Sequence, residues 1–158
     1  MAGKYQFYSD LADRETLQVT GSMGDWTGFL ATAGRLYKYP FEEQLMIHAQ
    51  RPDAVACAPF ETWNGTMNRY VKRGSKGIAL LDNRSGKPSL KYVFDVADTG
   101  DGRQNARRPF IWEMKPEHEV HVMGIIANVY GLTDFNEDMG NLLYGLAQSL
   151  SARRFVKP

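Results

Sequence analysis

The sequence predicts an α+β fold: a small antiparallel β-sheet with a central hairpin (about 78–97), flanked by four to five helices. Two strand-like runs, Ile78–Asp82 and Leu90–Ala97, are separated by the turn-rich segment 83–88, which is the pattern of a β-hairpin. Apolar residues recur at helical spacing on both sides of these runs. Helices that flank a hairpin favour α+β over alternating βαβ units.

The helices are predicted from apolar spacing together with capping and proline signals. Asp25 is the expected N-cap of the first helix, which continues to Tyr37. A second helix is expected to begin at Pro40 and to end near Arg51. A short extended segment at 54–58 and a helical turn at 59–63 follow. After the hairpin, helices are expected over 116–131 and from 136 onward.

The expected domain organisation is a flexible N-terminal arm over residues 1–24 and one domain over residues 25–158. The arm is predicted because these residues contain little periodicity and end in a Gly- and Ser-containing stretch. A chain of 158 residues with 43% hydrophobic residues is long enough to bury a core. Its 12% aromatic content and net charge of +1 argue against intrinsic disorder.

The number of cysteines and the length of the apolar runs indicate the cellular compartment of the protein. Cys57 is the single cysteine and therefore has no partner for an internal disulfide, which favours a reducing environment. No signal-like leader opens the sequence and no apolar run is long enough to span a bilayer. We therefore expect a cytoplasmic protein that does not interact with a membrane.

The segment Arg69–Ile78 contains four cations, two glycines and one aromatic residue just before a strand. Glycines allow backbone amides to approach a phosphate, Lys and Arg neutralise its charge, and an aromatic ring stacks on an unpaired base. This composition suits a single-stranded nucleic acid. An ordinary solvated basic turn explains the same residues equally well, so the composition alone leaves both interpretations open.

The candidate nucleic-acid-binding residues are taken from this segment, the hairpin turn and nearby aromatic side chains. Tyr70 is the first stacking candidate, because it lies within the basic segment. Trp26 and Phe41 lie on apolar helical faces and are expected in the core instead. The full set is Tyr39, Trp63, Arg69, Tyr70, Lys72, Arg73, Ser75, Lys76, Arg84 and Lys87.

Catalytic and metal-binding patterns are weak. The sequence lacks a phosphate-binding loop of the GxxxxGK[ST] type and a GxSxG nucleophile elbow. His118 and His121 are three residues apart, not four as in a zinc protease helix. Acidic residues at 95, 98 and 101 resemble a magnesium site, but a Gly-rich loop uses Asp for turns as well. We expect a non-catalytic protein without a metal or cofactor, with a metal-dependent nuclease or hydrolase as the alternative.

Several separated blocks of the sequence resemble the ArdC-like N-terminal domain. The blocks are Trp26–Leu30, Tyr37–Phe41, Gln44–Ile47, Ala49–Pro52, Trp63-Asn64 and Val71–Ile78. In that family the domain is the single-stranded DNA-binding part of antirestriction proteins and of related LtrC-like or helicase-fused proteins of plasmids and conjugative elements. The resemblance implies a sequence-tolerant single-stranded DNA partner, and it places Trp63 and the basic segment at the DNA.

This sequence departs from the family pattern in one respect. ArdC-type proteins carry a C-terminal metalloprotease-like domain with a His-Glu-x-x-His helix, and this sequence contains no such motif. The chain is therefore expected to be either part of a longer protein with further domains or a free binding module. A protein-interaction module that imitates DNA by its charge is a further alternative, although a DNA mimic is expected to be acidic rather than basic.

Overall fold

The computed structural model describes residues 3–84, 86–111 and 115–131. The chain divides into two compact units, Met1–Ile111 and Trp112–Pro158. We had instead expected an arm over 1–24 and one domain over 25–158. The α+β class is confirmed, because the described residues form helices, a three-stranded sheet and a two-stranded sheet. The helix expected from residue 136 onward lies outside the described residues.

The N-terminal segment forms a helix, α1 (Lys4–Val19), rather than the flexible arm that we expected. Its inner face contacts the core through Tyr8, Leu11 and Ala12, and Val19 is buried. These residues do follow helical spacing. The periodicity is hard to recognise in the sequence because Glu15, an acidic residue, occupies one of the buried positions of that face.

Two further helices follow, α2 (Met23–Arg35) and α3 (Phe41–Gln50). The N-cap of α2 is Ser22, whose hydroxyl accepts a hydrogen bond from the Asp25 N–H at 3.1 Å, so the expected Asp25 cap is wrong by three residues. Pro40 precedes α3 as its N-cap, close to the expected position, because its fixed φ suits a helix start.

The core of the first unit consists of two clusters of buried side chains. In the smaller cluster, Val19, Phe29 and Leu45 join the first three helices, with Trp26 and Phe41 packed against them as expected. The larger cluster joins the helices to the sheet and contains Leu36, Met46, Ile47, Ala54, Ile78, Leu80 and Val93. Burial of these apolar side chains is the main contribution to the stability of the fold.

The predicted hairpin is confirmed. Strands β3 (Ile78–Asp82) and β4 (Ser89–Asp95) pair antiparallel from Ile78 opposite Val93 to Asp82 opposite Ser89. A short strand, β1 (Cys57–Ala58), pairs with the other edge of β4 and gives the order β1-β4-β3. Strand β4 ends at Asp95, two residues before the expected end, where a single 3₁₀ turn begins.

A second, two-stranded sheet was not predicted. Strand β2 (Tyr70–Val71) pairs antiparallel with β5 (Thr99–Gly100), so Tyr70 lies opposite Gly100. A short π-helical segment, Thr62–Thr66, precedes β2. This pairing brings the basic segment to the chain that leaves β4, although the two are about thirty residues apart in the sequence.

In the second unit, the described residues form one helix, α4 (Pro116–Tyr130), with Gly131 as a C-cap at φ +66°. The expected helix from Pro116 to Gly131 is therefore confirmed, since Pro suits the first helical position and Gly tolerates a left-handed cap. Across the described parts of both units, none of the helices has the length and apolar character that crossing a bilayer requires.

Candidate nucleic-acid interface

The basic segment leaves β2 as a tight turn from Lys72 to Ser75. The Ser75 N–H donates to the Lys72 carbonyl at 3.2 Å, and Gly74 has φ +88°, a conformation that other residues rarely adopt. The carbonyl of Asp98 holds both ends of the turn, because it accepts from the Lys72 N–H at 2.8 Å and from the Ser75 hydroxyl at 3.4 Å. The backbone of the turn is therefore fixed while its long side chains extend outward.

Three cations, two in this turn and one directly after it, have no carboxylate partner among the residues that the structure describes. Lys72 is exposed, and its ammonium donates to the neutral carbonyl of Ala97 at 2.9 Å. Arg73 and Lys76 are exposed and form no ion pair with a described acidic side chain. We call Lys72, Arg73 and Lys76 the turn cations. They are free to neutralise an external anion.

A groove of about 540 Å³ lies beside the turn. Its walls come from α1, α3, the turn and the start of β3, and are formed by Tyr8, Gln50, Arg51, Gly74, Ser75, Lys76, Gly77, Ile78 and Asp98. The Arg51 guanidinium pairs with the Asp98 carboxylate at 2.5 Å, and this hydrogen bond raises the pKa of Arg51. The groove thus presents four kinds of group to a ligand: the Arg51 guanidinium, which is paired with Asp98, the Lys76 ammonium, the Ser75 hydroxyl and the Tyr8 side chain.

Sequence reasoning missed three of the residues that line this groove, Tyr8, Gln50 and Arg51. They come from α1 and from the end of α3, distant in sequence from the basic turn. Gln50 and Arg51 lie in the block Ala49–Pro52 of the family resemblance, but that block did not identify them as binding residues. Gln50 has a structural task as well, because its amide group bonds to both the N–H and the carbonyl of Ala79 along the free edge of β3.

The structure contradicts the expected DNA-facing role of Arg69. Its side chain is buried, with 7% of the residue exposed, and its Nε donates to the Thr99 hydroxyl at 2.8 Å. The carboxylate of Asp101 lies 4.0 Å from the guanidinium. A buried charge with such partners joins β2 to β5, so Arg69 is a structural residue rather than a phosphate contact.

Of the two secondary stacking candidates, Trp63 is buried and Tyr39 is half-buried. Trp63 is 1% exposed, and its indole N–H donates to the Phe94 carbonyl at 2.8 Å. The Tyr39 side chain packs against the core, its hydroxyl donates to the Cys57 carbonyl at 2.8 Å, and burial raises the pKa of Tyr39 well above its usual range. The buried Trp63 ring presents no face on which a base stacks, which corrects the expectation for Trp63, whereas the stacking role of Tyr39 stays a prediction.

Tyr70 differs from these two aromatics, because 41% of the residue is exposed. The hydroxyl end of its ring lies over Gly100 of β5. A Cβ atom built on Gly100 would lie 2.2 Å from Tyr70 Cζ, so a larger residue at position 100 would displace the ring from this position. Because the ring is exposed and lies next to the basic segment, Tyr70 remains the first stacking candidate of the set.

The hairpin turn contains the last two candidates, Arg84 and Lys87, and both are exposed. Arg84 forms two hydrogen bonds to the carboxylate of Asp82, at 2.9 and 3.0 Å. These bonds lower the pKa of Asp82 to about 2. The charge of Arg84 is therefore already paired, and Arg84 is a weaker candidate than the turn cations. The role of Lys87 stays a prediction.

The acidic residues of the alternative metal site have structural partners. The Asp95 carboxylate is 1% exposed and accepts hydrogen bonds from the N–H groups of Val55, Ala56 and Ala97 at 2.7–3.0 Å. Asp98 pairs with Arg51. Within residues 3–84, 86–111 and 115–131, no group of three or more His, Cys, Asp or Glu side chains is arranged to hold a metal ion.

The other candidates for chemistry are single side chains. Burial, and to a lesser extent the Asp95 carboxylate, raises the pKa of the Cys57 thiol to about 12, so the nucleophilic thiolate is scarce at neutral pH. His118 and His121 are exposed on α4, and His118 lies 3.6 Å from the carboxylate of its neighbour Glu117.

Comparison with protein-family models, with characterised proteins and with solved structures finds no match to this chain.

Proposed function

We propose that the first unit of this chain is a non-catalytic, sequence-tolerant single-stranded DNA-binding module, of the kind that the ArdC-like resemblance implies for plasmid and conjugative-element proteins. One observation carries the proposal. The turn cations stand on a fixed backbone beside a groove, and no described carboxylate neutralises them. Between positions 69 and 91, three other basic residues form ion pairs with the protein's own acidic side chains: Arg69, Arg84 and Lys91.

Electrostatics explains why such a turn binds a strand rather than a single anion. Phosphates neutralised by Lys and Arg release condensed counterions, and this release supplies affinity that does not depend on base sequence. The exposed ring of Tyr70 adds stacking, worth about 1–3 kcal/mol per base, which requires an unpaired base. The combination favours a single strand over a duplex.

A cytoplasmic setting forms part of the proposal. The half-buried Cys57 is the single cysteine of the chain, and its thiol is held in the protonated form. A module without disulfides that binds plasmid or conjugative-element DNA suits the compartment in which that DNA resides.

The proposal is tested by titrating the full chain with a labelled oligothymidylate over a range of salt concentrations. The test variant is Arg73→Gln/Lys76→Gln, because neither side chain contributes a bond to the described fold. Loss of two phosphate contacts flattens the slope of log affinity against log salt by about 1.4, and weakens binding by about 20-fold at 0.1 M salt. The measurement is fluorescence anisotropy.

The matched control is Arg14→Gln/Lys38→Gln, which removes the same charge from exposed positions on α1 and between α2 and α3. Its slope should equal that of the wild-type chain. Absence of saturable binding at low salt contradicts the proposal, as does an equal loss in the control variant. Tighter binding of an oligoribonucleotide contradicts the assignment to DNA, and cleavage of the strand in the presence of Mg²⁺ or Mn²⁺ supports the nuclease alternative instead.

A further inference from the structure

A second basic segment lies next to Tyr70, in the chain that follows β5. The backbone of residues 101–108 is anchored to the segment before β2. The Arg107 N–H donates to the Met67 carbonyl at 2.8 Å, and the Asn68 side-chain amide donates to the Gln104 carbonyl at 2.6 Å. The positions of these residues are therefore set by the fold.

Three arginines project from this anchored segment, Arg103, Arg107 and Arg108, and all three are exposed. Arg103 donates to the neutral carbonyl of Asn64 at 3.3 Å. None of the three forms an ion pair with an acidic side chain in the described part of the chain. Like the turn cations, these three arginines are therefore exposed and have no described acidic partner.

Tyr70 connects the two basic segments. Its ring covers Gly100, and a Cβ atom built on Gly102 would lie 3.5 Å from the ring, so Arg103 directly follows a residue that the ring contacts. On the other side, Lys72 lies two residues after Tyr70, and its N–H is bonded to the Asp98 carbonyl next to β5. Cations therefore follow closely after both strands of this pair, Lys72 after β2 and Arg103 after β5.

We propose that a single strand of DNA crosses Tyr70, with its phosphates neutralised by the turn cations on one side and by Arg103, Arg107 and Arg108 on the other. This inference rests on the proposed function and adds to it the path of the strand and three contact residues. The exposed ring of Tyr70 suits an unpaired base, because the bases of a duplex are already stacked on each other. The arginine guanidinium groups bind phosphate with paired N–H donors.

The salt dependence of binding tests this path. Three phosphate contacts from the turn cations alone give a slope of about −2, whereas six contacts give about −4. The variant Arg107→Gln/Arg108→Gln keeps the backbone anchor of the segment. It should flatten the wild-type slope by about 1.4 and weaken oligothymidylate binding by about 20-fold at 0.1 M salt, while Arg14→Gln/Lys38→Gln changes neither.

The outcomes separate the inference from the proposed function. If Arg73→Gln/Lys76→Gln weakens binding and Arg107→Gln/Arg108→Gln does not, the strand does not reach the second segment and the inference is overturned while the function stands. If the wild-type chain does not bind oligothymidylate at low salt, both fail. Parallel losses in the two double variants, with an unchanged control, support the path.

Replacement of Tyr70 tests the crossing point itself. Tyr70→Ala should weaken oligothymidylate binding by about tenfold with an unchanged salt slope, because stacking involves no counterions. Tyr70→Phe keeps the ring and should bind like the wild-type chain. Wild-type affinity of both the Ala and the Phe variant would remove Tyr70 from the path, and an equal loss of affinity in both would assign the contact to its hydroxyl and overturn stacking on its ring.

Discussion

Two polar regions lie next to β5. In one region the charged groups are buried and bonded within the protein, and in the other they are exposed. At the end of β4, the buried carboxylate of Asp95 accepts three backbone hydrogen bonds, and nearby the buried guanidinium of Arg69 bonds to Thr99. On the turn, Lys72 donates to a neutral carbonyl and Arg73 has no acidic partner among the described residues. Arg69 and Arg73 are only four positions apart.

The difference shows that position within a basic run does not decide what a cation does. Arg69 follows an Asn in a left-handed conformation, at φ +49°, and its buried side chain donates to the hydroxyl of Thr99 on β5. Arg73 precedes the glycine of a tight turn and is exposed. Charges that are satisfied inside the fold contribute to stability, whereas unsatisfied exposed charges are available to a ligand.

The largest effect on the internal region is expected for Asp95→Asn. The amide places N–H donors where backbone N–H groups now meet carboxylate oxygens, so at least one buried donor loses its acceptor. We expect a loss of about 3 kcal/mol in the free energy of unfolding, measured by urea denaturation followed by circular dichroism.

Asp13→Asn is the control for this prediction, because Asp13 is exposed on α1 and its replacement should change stability by less than about 0.5 kcal/mol. Arg73→Gln, at an exposed position of the turn, should also leave stability unchanged. Equal stability of the Asp95 and Asp13 variants would mean that the buried carboxylate is not a structural centre, and the contrast between the two regions would break.

A smaller effect is expected for Trp63→Phe. The phenyl ring does not replace the indole N–H that bonds to the Phe94 carbonyl, and it leaves unfilled volume in the core. The free energy of unfolding should fall by about 2 kcal/mol. Because the indole is buried, oligothymidylate affinity measured on the folded variant should be unchanged, in contrast to Tyr70→Ala.

A loss of DNA affinity in Trp63→Phe, at a temperature where the variant is folded, would return Trp63 to the binding surface and contradict its assignment to the core. Circular dichroism at the binding temperature is the control that separates the two explanations. Phe60→Leu serves as a neighbouring exposed aromatic substitution, since 45% of Phe60 is exposed, and it should change stability by less than Trp63→Phe.

The sequence was sufficient to predict the elements with strong periodicity. The strand Ile78–Asp82 agrees with its expected bounds, and α4 agrees with the proline and glycine that delimit it. Pairing of β2 with β5 was not predictable, because two-residue strands carry no alternation and their partner lies far along the chain. The unexpected α1 was missed for a different reason, because the acidic residue Glu15 occupies a buried position of the helix and interrupts its apolar pattern.

The candidate site was predicted in composition but not in detail. Basic residues and glycines identified the turn, since their chemistry is readable one residue at a time. Whether a residue is buried cannot be predicted from its own chemistry, because burial depends on neighbours in space. Arg69 and Trp63 belong to the right segment, yet their neighbours in space are Thr99 and the Phe94 carbonyl, both of which come from a distant part of the sequence. The same distance concealed Arg51 in the groove.

The smallest effect concerns a third polar group, at the junction of the first three helices, where Glu15 is buried and forms no ion pair with a Lys or Arg in the described part of the chain. Burial, and secondarily Asp25, raises the pKa of Glu15, while burial and Arg35 lower the pKa of His48, whose Nε2 lies 3.8 Å from the Glu15 carboxylate. At pH 7.5 the imidazole is therefore neutral and leaves the carboxylate unpaired. A buried carboxylate without a partner should lower the stability of the fold, because burial removes its hydration and no opposite charge replaces it.

Glu15→Gln tests this expectation. A raised pKa in the folded state means that the contribution of Glu15 is most favourable below its ordinary pKa of 4.5 and is lost as the pH rises through the folded value. The variant should thus be more stable than the wild-type chain at pH 7.5, by about 1 kcal/mol or less, and the difference should disappear near pH 4. Urea denaturation at both pH values measures it, with Asp13→Asn, an exposed position on α1, as the control. A variant less stable than the wild-type chain at pH 7.5 would instead show that Glu15 is held by a favourable interaction, and that this junction resembles the Asp95 region.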